Sequence, residues 1–204
     1  MASKPMEKGF DNFSYYIGID EAGRGPLAGP VAVGAVCAQK RFFTEPFFKK
    51  IKDSKQLSAQ KRRKIFNIIK MEEDAGRLSY SISFIGSSSI DSYGINQCIY
   101  RGISRCLERV CMFPEHSLIL LDGGISAPPK YKNQKTIIRG DEKEALIALA
   151  SIVAKVTRDE RMERLGMKYP KYLFEEHKGY GTKAHFKRIR EFGPTHFHRK
   201  SYLS

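Results

Sequence analysis

From Leu146 to Ala154 the chain reads LIALASIVA, a stretch in which only Ser151 is polar. It is too short to cross a bilayer, which takes about 20 apolar residues. It belongs to a longer helical pattern that starts at Glu142, is apolar nearly all round as far as Val156, and is heavily charged beyond. A helix with no polar face has to be covered on both sides, so the fold must build layers around it.

The rest of the chain offers those layers. Tyr15 to Asp20 is a short apolar run ending in a carboxylate. After a Gly-rich turn, Val31 to Ala38 resumes as Val/Ala-rich strand material, and the two segments read as a β-hairpin. Ser58 is placed to cap a helix carrying Ile65, Phe66, Ile68 and Ile69. Tyr80 to Ile85 alternates as a strand does. From about Ser89 to Val110 a second helix is expected, with Ile95, Cys98, Ile99 and Leu107 at helical spacing and Gly102 as its weak point. Ser117 to Asp122 (SLILLD) reads as a buried strand, and Thr136 to Arg139 as a short one. The final third, rich in Gly, His, Lys and Arg, is expected to be helical with loops. Early antiparallel strands followed by strand–helix alternation point to α/β or α+β.

A chain of 204 residues with 41% hydrophobic content fits one domain with a proper core. No repeat, low-complexity tract or linker divides it, so residues 1–14 read as a tail and 15–204 as one domain. Met1 to Gly9 contains lysines but no apolar core of a secretory signal, which points to the cytoplasm. Cys37, Cys98, Cys106 and Cys111 have neither C-x-x-C spacing nor His partners at zinc-finger intervals, and read as reduced packing residues. His196 and His198 form an H-x-H pair without a companion ligand nearby, so a structural or substrate-side role is expected.

Three acidic sites share one grammar, in which a strand stops and a carboxylate follows: Asp20 with Glu21, Asp122, and Asp141. If the strands are neighbours, the carboxylates converge and repel one another. Hard divalent cations such as Mg²⁺ or Mn²⁺ relieve that conflict and activate water toward a phosphodiester. The alternative is that each is an ordinary turn or cap residue. The net charge of +14 suits a polyanionic partner, since Lys and Arg release counterions from phosphates, but suits a plain basic surface as well.

The run Ile17-Gly18-Ile19-Asp20-Glu21-Ala22-Gly23-Arg24-Gly25-Pro26-Leu27-Ala28-Gly29-Pro30 resembles the signature of the ribonuclease HII family. Six further elements follow in the family's order: Asp53 to Ser58 (DSKQLS), Leu121-Asp122-Gly123, Gly140-Asp141, Ala150 to Asp159 (ASIVAKVTRD), His177 to Thr182 (HKGYGT), and Gly193-Pro194-Thr195 with His198-Arg199. Together they cover Tyr16 to Tyr202, nearly the whole chain.

The resemblance implies an α/β, ribonuclease H-like fold: a mixed five-stranded sheet flanked by helices, with a small helical C-terminal part. It implies hydrolysis of the RNA strand of RNA–DNA hybrids, and cleavage 5′ of single ribonucleotides in a DNA duplex, leaving 5′-phosphate and 3′-hydroxyl ends. It assigns Asp20, Glu21, Asp122 and Asp141 as the catalytic, metal-binding set for two Mn²⁺ or Mg²⁺ ions, with Asp159 supporting. Gly23, Arg24 and Gly25 would read ribose 2′-hydroxyls, Tyr180 would stack on the following deoxyribose, and Lys55 would contact a phosphate. A tight turn, a core tyrosine and a solvated lysine are the ordinary readings of those residues. A monomer with no membrane association is expected.

Arg139, Gly124 and Leu149 depart from the family's usual choices without removing a proposed ligand. The sister type, ribonuclease HIII, is expected to carry an added N-terminal domain and a G-T-G-like turn, whereas here the first carboxylate comes at residue 20 and the turn reads Gly23-Arg24-Gly25. A different nuclease on the same fold and a non-catalytic nucleic-acid-binding protein are the remaining alternatives.

Overall fold

The computed structural model describes residues 12–44 and 57–203. A five-stranded sheet runs through its centre. Strands β1 (Tyr15–Ala22), β2 (Val31–Gln39) and β3 (Leu78–Ile85) form an antiparallel meander, and β4 (Ser117–Asp122) and β5 (Gln134–Ile137) add in parallel beside β1. The order is β3-β2-β1-β4-β5, which makes the sheet mixed.

Alternation along β1 and β2 divides the core. Tyr16, Val36 and Ala38 pack on one face against helix α5 (Ala145–Lys168) and helix α1 (Ala59–Asp74). Ile17, Ile19, Val33 and Ala35 pack on the other against helix α3 (Ile95–Val110), whose Cys98, Ile99, Ile103, Cys106 and Leu107 recur at the spacing of a single buried face. Leu146 to Ala150, Ile152, Val153 and Ala154 are all buried, as the unbroken apolar run requires. The helix seats unusually deep. A Cβ built on Gly18 would lie 2.2 Å from the Leu146 carbonyl carbon, and one on Gly34 would lie 2.5 Å from the Ala150 oxygen. Two strand glycines thus let the backbone of α5 rest on the sheet. A smaller cluster of Ala28, Met162, Tyr172 and Phe174 ties the far end of α5 to the short helix α6 (Phe174–His177), and the Tyr172 hydroxyl donates to Phe192 O at 3.2 Å, at the end of helix α7 (Lys183–Phe192).

Several boundaries differ from expectation. The helix expected from Ser89 to Val110 is two, α2 (Ser87–Tyr93) and α3, because Gly94 takes φ +76° and ends the first. Strand β1 does not stop at Asp20 but continues to Ala22, since β2 goes on pairing with it. The strand expected at Thr136–Arg139 lies earlier, at Gln134–Ile137, and Arg139 adopts the left-handed conformation that opens the short helix α4 (Gly140–Lys143). The long helix starts at Ala145 rather than Glu142, because extended Glu144 separates it from α4. Ser58 caps α1 as expected, its hydroxyl accepting from the Lys61 amide at 3.3 Å. Among the described residues, no helix is long and apolar enough to cross a membrane.

Candidate active site

The sheet register brings the first carboxylates together. Ile19 pairs with Leu121 in the parallel ladder, so the next step along each strand sets Asp20 beside Asp122, on chains about 4.8 Å apart. Asp20 follows Tyr16 and Gly18 on the face that meets α5, where Ser151 stands beside it; the one polar interruption of the apolar run faces the first strand's carboxylate. Asp122 Oδ1 accepts from the Gly140 amide at 2.6 Å, which anchors the start of α4 and places Asp141 in its first turn, buried.

The electrostatics are those of crowded acids. Burial, then repulsion from Glu21 and Asp122, push the Asp20 carboxyl up to about 8, against the hydrogen bonds of Ser151 and of the Glu21 amide at 2.8 Å. Glu21 is also raised by burial, and less by Asp122, while Arg24 at 2.9 Å opposes the shift. Among the described residues no three His, Cys, Asp or Glu converge tightly enough to form a ready-made metal site. The donor set nonetheless fits a hard divalent cation. It is carboxylate oxygen throughout, its members repel one another, and the cysteines and the buried His185 and His198 lie elsewhere.

A cleft of about 400 Å³ adjoins these groups and is lined by Glu21, Gly23, Arg24, Gly25, Asp141 and Tyr180, together with Arg62, Ser151 and Lys155. Six of the residues singled out from the sequence therefore line one cleft. Asp20 and Asp122 do not line it, although Ser151, which does, sits beside Asp20. Lys55 lies outside the described residues. Asp159 accepts from Lys155 Nζ at 3.0 Å and does not line the cleft. Tyr180 is exposed, with Lys155 and Arg158 at 5.7 and 5.8 Å from its ring.

Sequence reasoning missed the cations in and behind this cleft. Arg62 and Lys155 line the cleft, while Arg158 and Arg199 are fully buried behind it. Arg158 Nε donates to Pro30 O at 2.9 Å and its Nη2 to Lys178 O at 3.0 Å, so one side chain joins the glycine-rich turn to the Tyr180 loop. Gly23, at φ +91°, passes so close to Arg158 that any Cβ there would overlap the guanidinium. The available signal was the presence of both arginines within motif elements. His198, half of the H-x-H pair, is buried and its Nε2 meets His185 Nε2 at 3.0 Å, while His196 stays exposed; the former has the structural place expected.

His185 Nδ1 faces the Tyr180 carbonyl at 3.0 Å, and His177 Nδ1 accepts from the Gly179 amide at 3.1 Å. Neutral imidazoles thus brace the loop that presents Tyr180. Burial holds His185 and His198 down to about 4.

A mixed five-stranded sheet, with carboxylates from two adjacent strands and the helix after the last strand gathered at one end, defines a ribonuclease H-like nuclease. The fold is similar to that of ribonuclease H2 from Pyrococcus horikoshii OT3 (TM-score 0.72, 24% identity, 92% of this chain and 93% of that one). It is also similar to that of Bst-RNase HIII in complex with Mn²⁺ (TM-score 0.68, 18% identity, 94% and 68%). The sequence profile described as Ribonuclease HII matches residues 17–204. A Ribonuclease HII of Caldicellulosiruptor saccharolyticus is 39% identical over 193 residues, 95% of this chain and 89% of that protein. The chain belongs to the ribonuclease HII family. It is a divalent-metal-dependent ribonuclease H that cleaves the RNA strand of RNA–DNA hybrids.

Proposed function

We propose that this enzyme also incises DNA duplexes 5′ of a single embedded ribonucleotide, leaving 5′-phosphate and 3′-hydroxyl ends, with Asp20, Glu21, Asp122 and Asp141 holding two divalent ions, Mn²⁺ or Mg²⁺. The observation that carries it is the shared cleft, which Glu21 and Asp141 line together with Gly23 to Gly25 and Tyr180. Metal-binding groups and ribose-reading groups then meet one phosphodiester.

Ions held there supply the charge that activates water and stabilises the leaving oxygen. The protein's own residues do the rest. Ser151 and the Glu21 amide orient the Asp20 carboxylate, and Gly140 fixes that of Asp122. Open space over Gly25 admits a sugar edge to main-chain donors, and the 2′-hydroxyl is what distinguishes RNA from DNA. Tyr180, exposed between two glycines, stacks on the deoxyribose past the junction, and Lys55 contacts a phosphate. Asp159, held on Lys155, supports the helix rather than the metals. We further propose a single domain over residues 15–204 that acts as a monomer in the cytoplasm.

The test is cleavage of a DNA duplex with one ribonucleotide, in Mg²⁺, Mn²⁺ or chelator. One metal-dependent cut 5′ of the ribonucleotide is expected, absent from the all-DNA duplex and from Asp122→Asn. Cutting of long hybrids alone would refute the junction role of Gly23 to Gly25 and Tyr180.

A further inference from the structure

The turn after β1 has its carbonyls gathered by a cation from the far end of the chain. Arg199 Nη2 donates to Gly23 O at 2.6 Å and Gly29 O at 3.0 Å, Nη1 to Arg24 O at 2.7 Å, and Nε to Gly29 O at 3.1 Å. The Tyr202 hydroxyl donates to the same Arg24 oxygen at 3.1 Å. Arg199 is completely buried, yet the four hydrogen bonds that its guanidinium donates go to main-chain carbonyls rather than to a carboxylate.

This arrangement has a directional consequence. The peptides are trans, and across a trans peptide the carbonyl and the following N–H point in opposite directions. With the Gly23 and Arg24 oxygens turned to Arg199, the amides of Arg24 and Gly25 are turned away from it, toward the cleft that Glu21 to Gly25 line. Among the described residues neither amide meets an acceptor, and nothing stands within 4 Å of where a Gly25 Cβ would be.

We propose that Arg199, assisted by Tyr202, is a positioning residue for ribose recognition: it holds two carbonyls inward so that the amides of Arg24 and Gly25 face a ribose 2′-oxygen as paired donors. The inference rests on the reading of Gly23 to Gly25 as the 2′-hydroxyl reader. The planar fork matters, because it meets carbonyls of three residues at fixed angles. A lysine keeps the charge but offers one mobile ammonium. The bound sugar never touches Arg199, so its role differs from that of Arg24 or Tyr180.

The experiment measures Kd by fluorescence anisotropy, in chelator, for a DNA duplex with one ribonucleotide and for its all-DNA counterpart, alongside thermal melting. Wild type is expected to prefer the ribonucleotide duplex. In Arg199→Lys that preference falls about tenfold, as the loss of well-aligned charged hydrogen bonds implies, while all-DNA affinity stays within about twofold. Tyr202→Phe removes a single surface hydroxyl, so it keeps the fold even if Arg199→Lys does not, and lowers the preference about threefold. Preference undiminished in Tyr202→Phe and in any folded Arg199→Lys overturns the proposal. So does a parallel loss of both affinities, which marks a merely structural role. A wild type with no preference overturns the 2′-hydroxyl reading itself and the proposal with it, and is distinguishable because it shows before any substitution.

Discussion

Replacing Gly18 with alanine tests how the sheet positions the site. The added Cβ would sit 2.2 Å from the carbonyl carbon of Leu146, 2.3 Å from its oxygen and 2.4 Å from the Ile147 nitrogen, where ordinary contact begins near 3.4 Å. These are backbone atoms of α5 and cannot turn aside as a side chain would. The helix must retreat by about an ångström, at a cost near the top of the overpacking range, about 3 kcal/mol. For a chain of this size that is a fall in Tm of about 6–12 °C. Ser151 and Lys155 move with the helix away from Asp20, and a displacement of that size costs about 100-fold in kcat. Gly124→Ala is the control, since that glycine is exposed with nothing within 4 Å, and it should leave both quantities near wild type or raise Tm slightly. Urea and thermal unfolding report the first quantity and hybrid cleavage the second. A Gly18→Ala enzyme that melts within about 2 °C of wild type and retains its turnover would refute the close seating of α5.

Three further outcomes are expected. Burial lowers His185 and His198 from 6.5 to about 4, with His177 adding to the shift of His185, so the unfolded chain binds more protons between those values. Their contribution is therefore complete above about pH 6.5 and lost as pH falls toward about 4, roughly 1–2 kcal/mol per ring after allowance for nearby solvent. Urea midpoints from pH 7.5 to 4.5 should fall accordingly, and His185→Gln should flatten the slope. An Asp20 carboxyl raised to about 8 opposes folding at every pH above its unfolded value of 3.8, increasingly so up to about 8, so Asp20→Asn should raise Tm in chelator at pH 7.5 while abolishing cleavage. A lower Tm for that variant would contradict the account. For Tyr180, phenylalanine should preserve hybrid cleavage, whereas alanine should raise KM about tenfold with a smaller change in kcat, as lost stacking implies.

Burial patterns were legible where one residue type had one physical solution. SLILLD became β4 with the expected ends, and the apolar run became a helix covered on both sides, because neither segment has a polar face to expose. The break at Gly94 and the extended Glu144 were not legible, since each depends on how two helices must meet the rest of the fold. Crowding of Asp20 and Asp122 followed from strand endings, but only the parallel register of β1 and β4 makes them neighbours. Arg158 and Arg199 stood within motif elements, but nothing in the sequence set their surroundings apart from those of the other basic residues among the 36. Composition marks an arginine as a surface cation, and only tertiary structure shows one buried among carbonyls.

The central claim is that Asp20, Glu21, Asp122 and Asp141 act as one metal-binding set, and Mn²⁺ binding tests it without relying on turnover. Free Mn²⁺ can be followed by electron paramagnetic resonance as protein is titrated, comparing wild type with Asp122→Asn, Asp141→Asn and Asp159→Asn. Wild type and Asp159→Asn should remove the free-ion signal alike, while Asp122→Asn and Asp141→Asn should bind at least about tenfold more weakly, the lower end of what losing a ligand's partner costs. Undiminished binding by Asp122→Asn, or loss in Asp159→Asn with Asp141→Asn unaffected, would contradict the assignment.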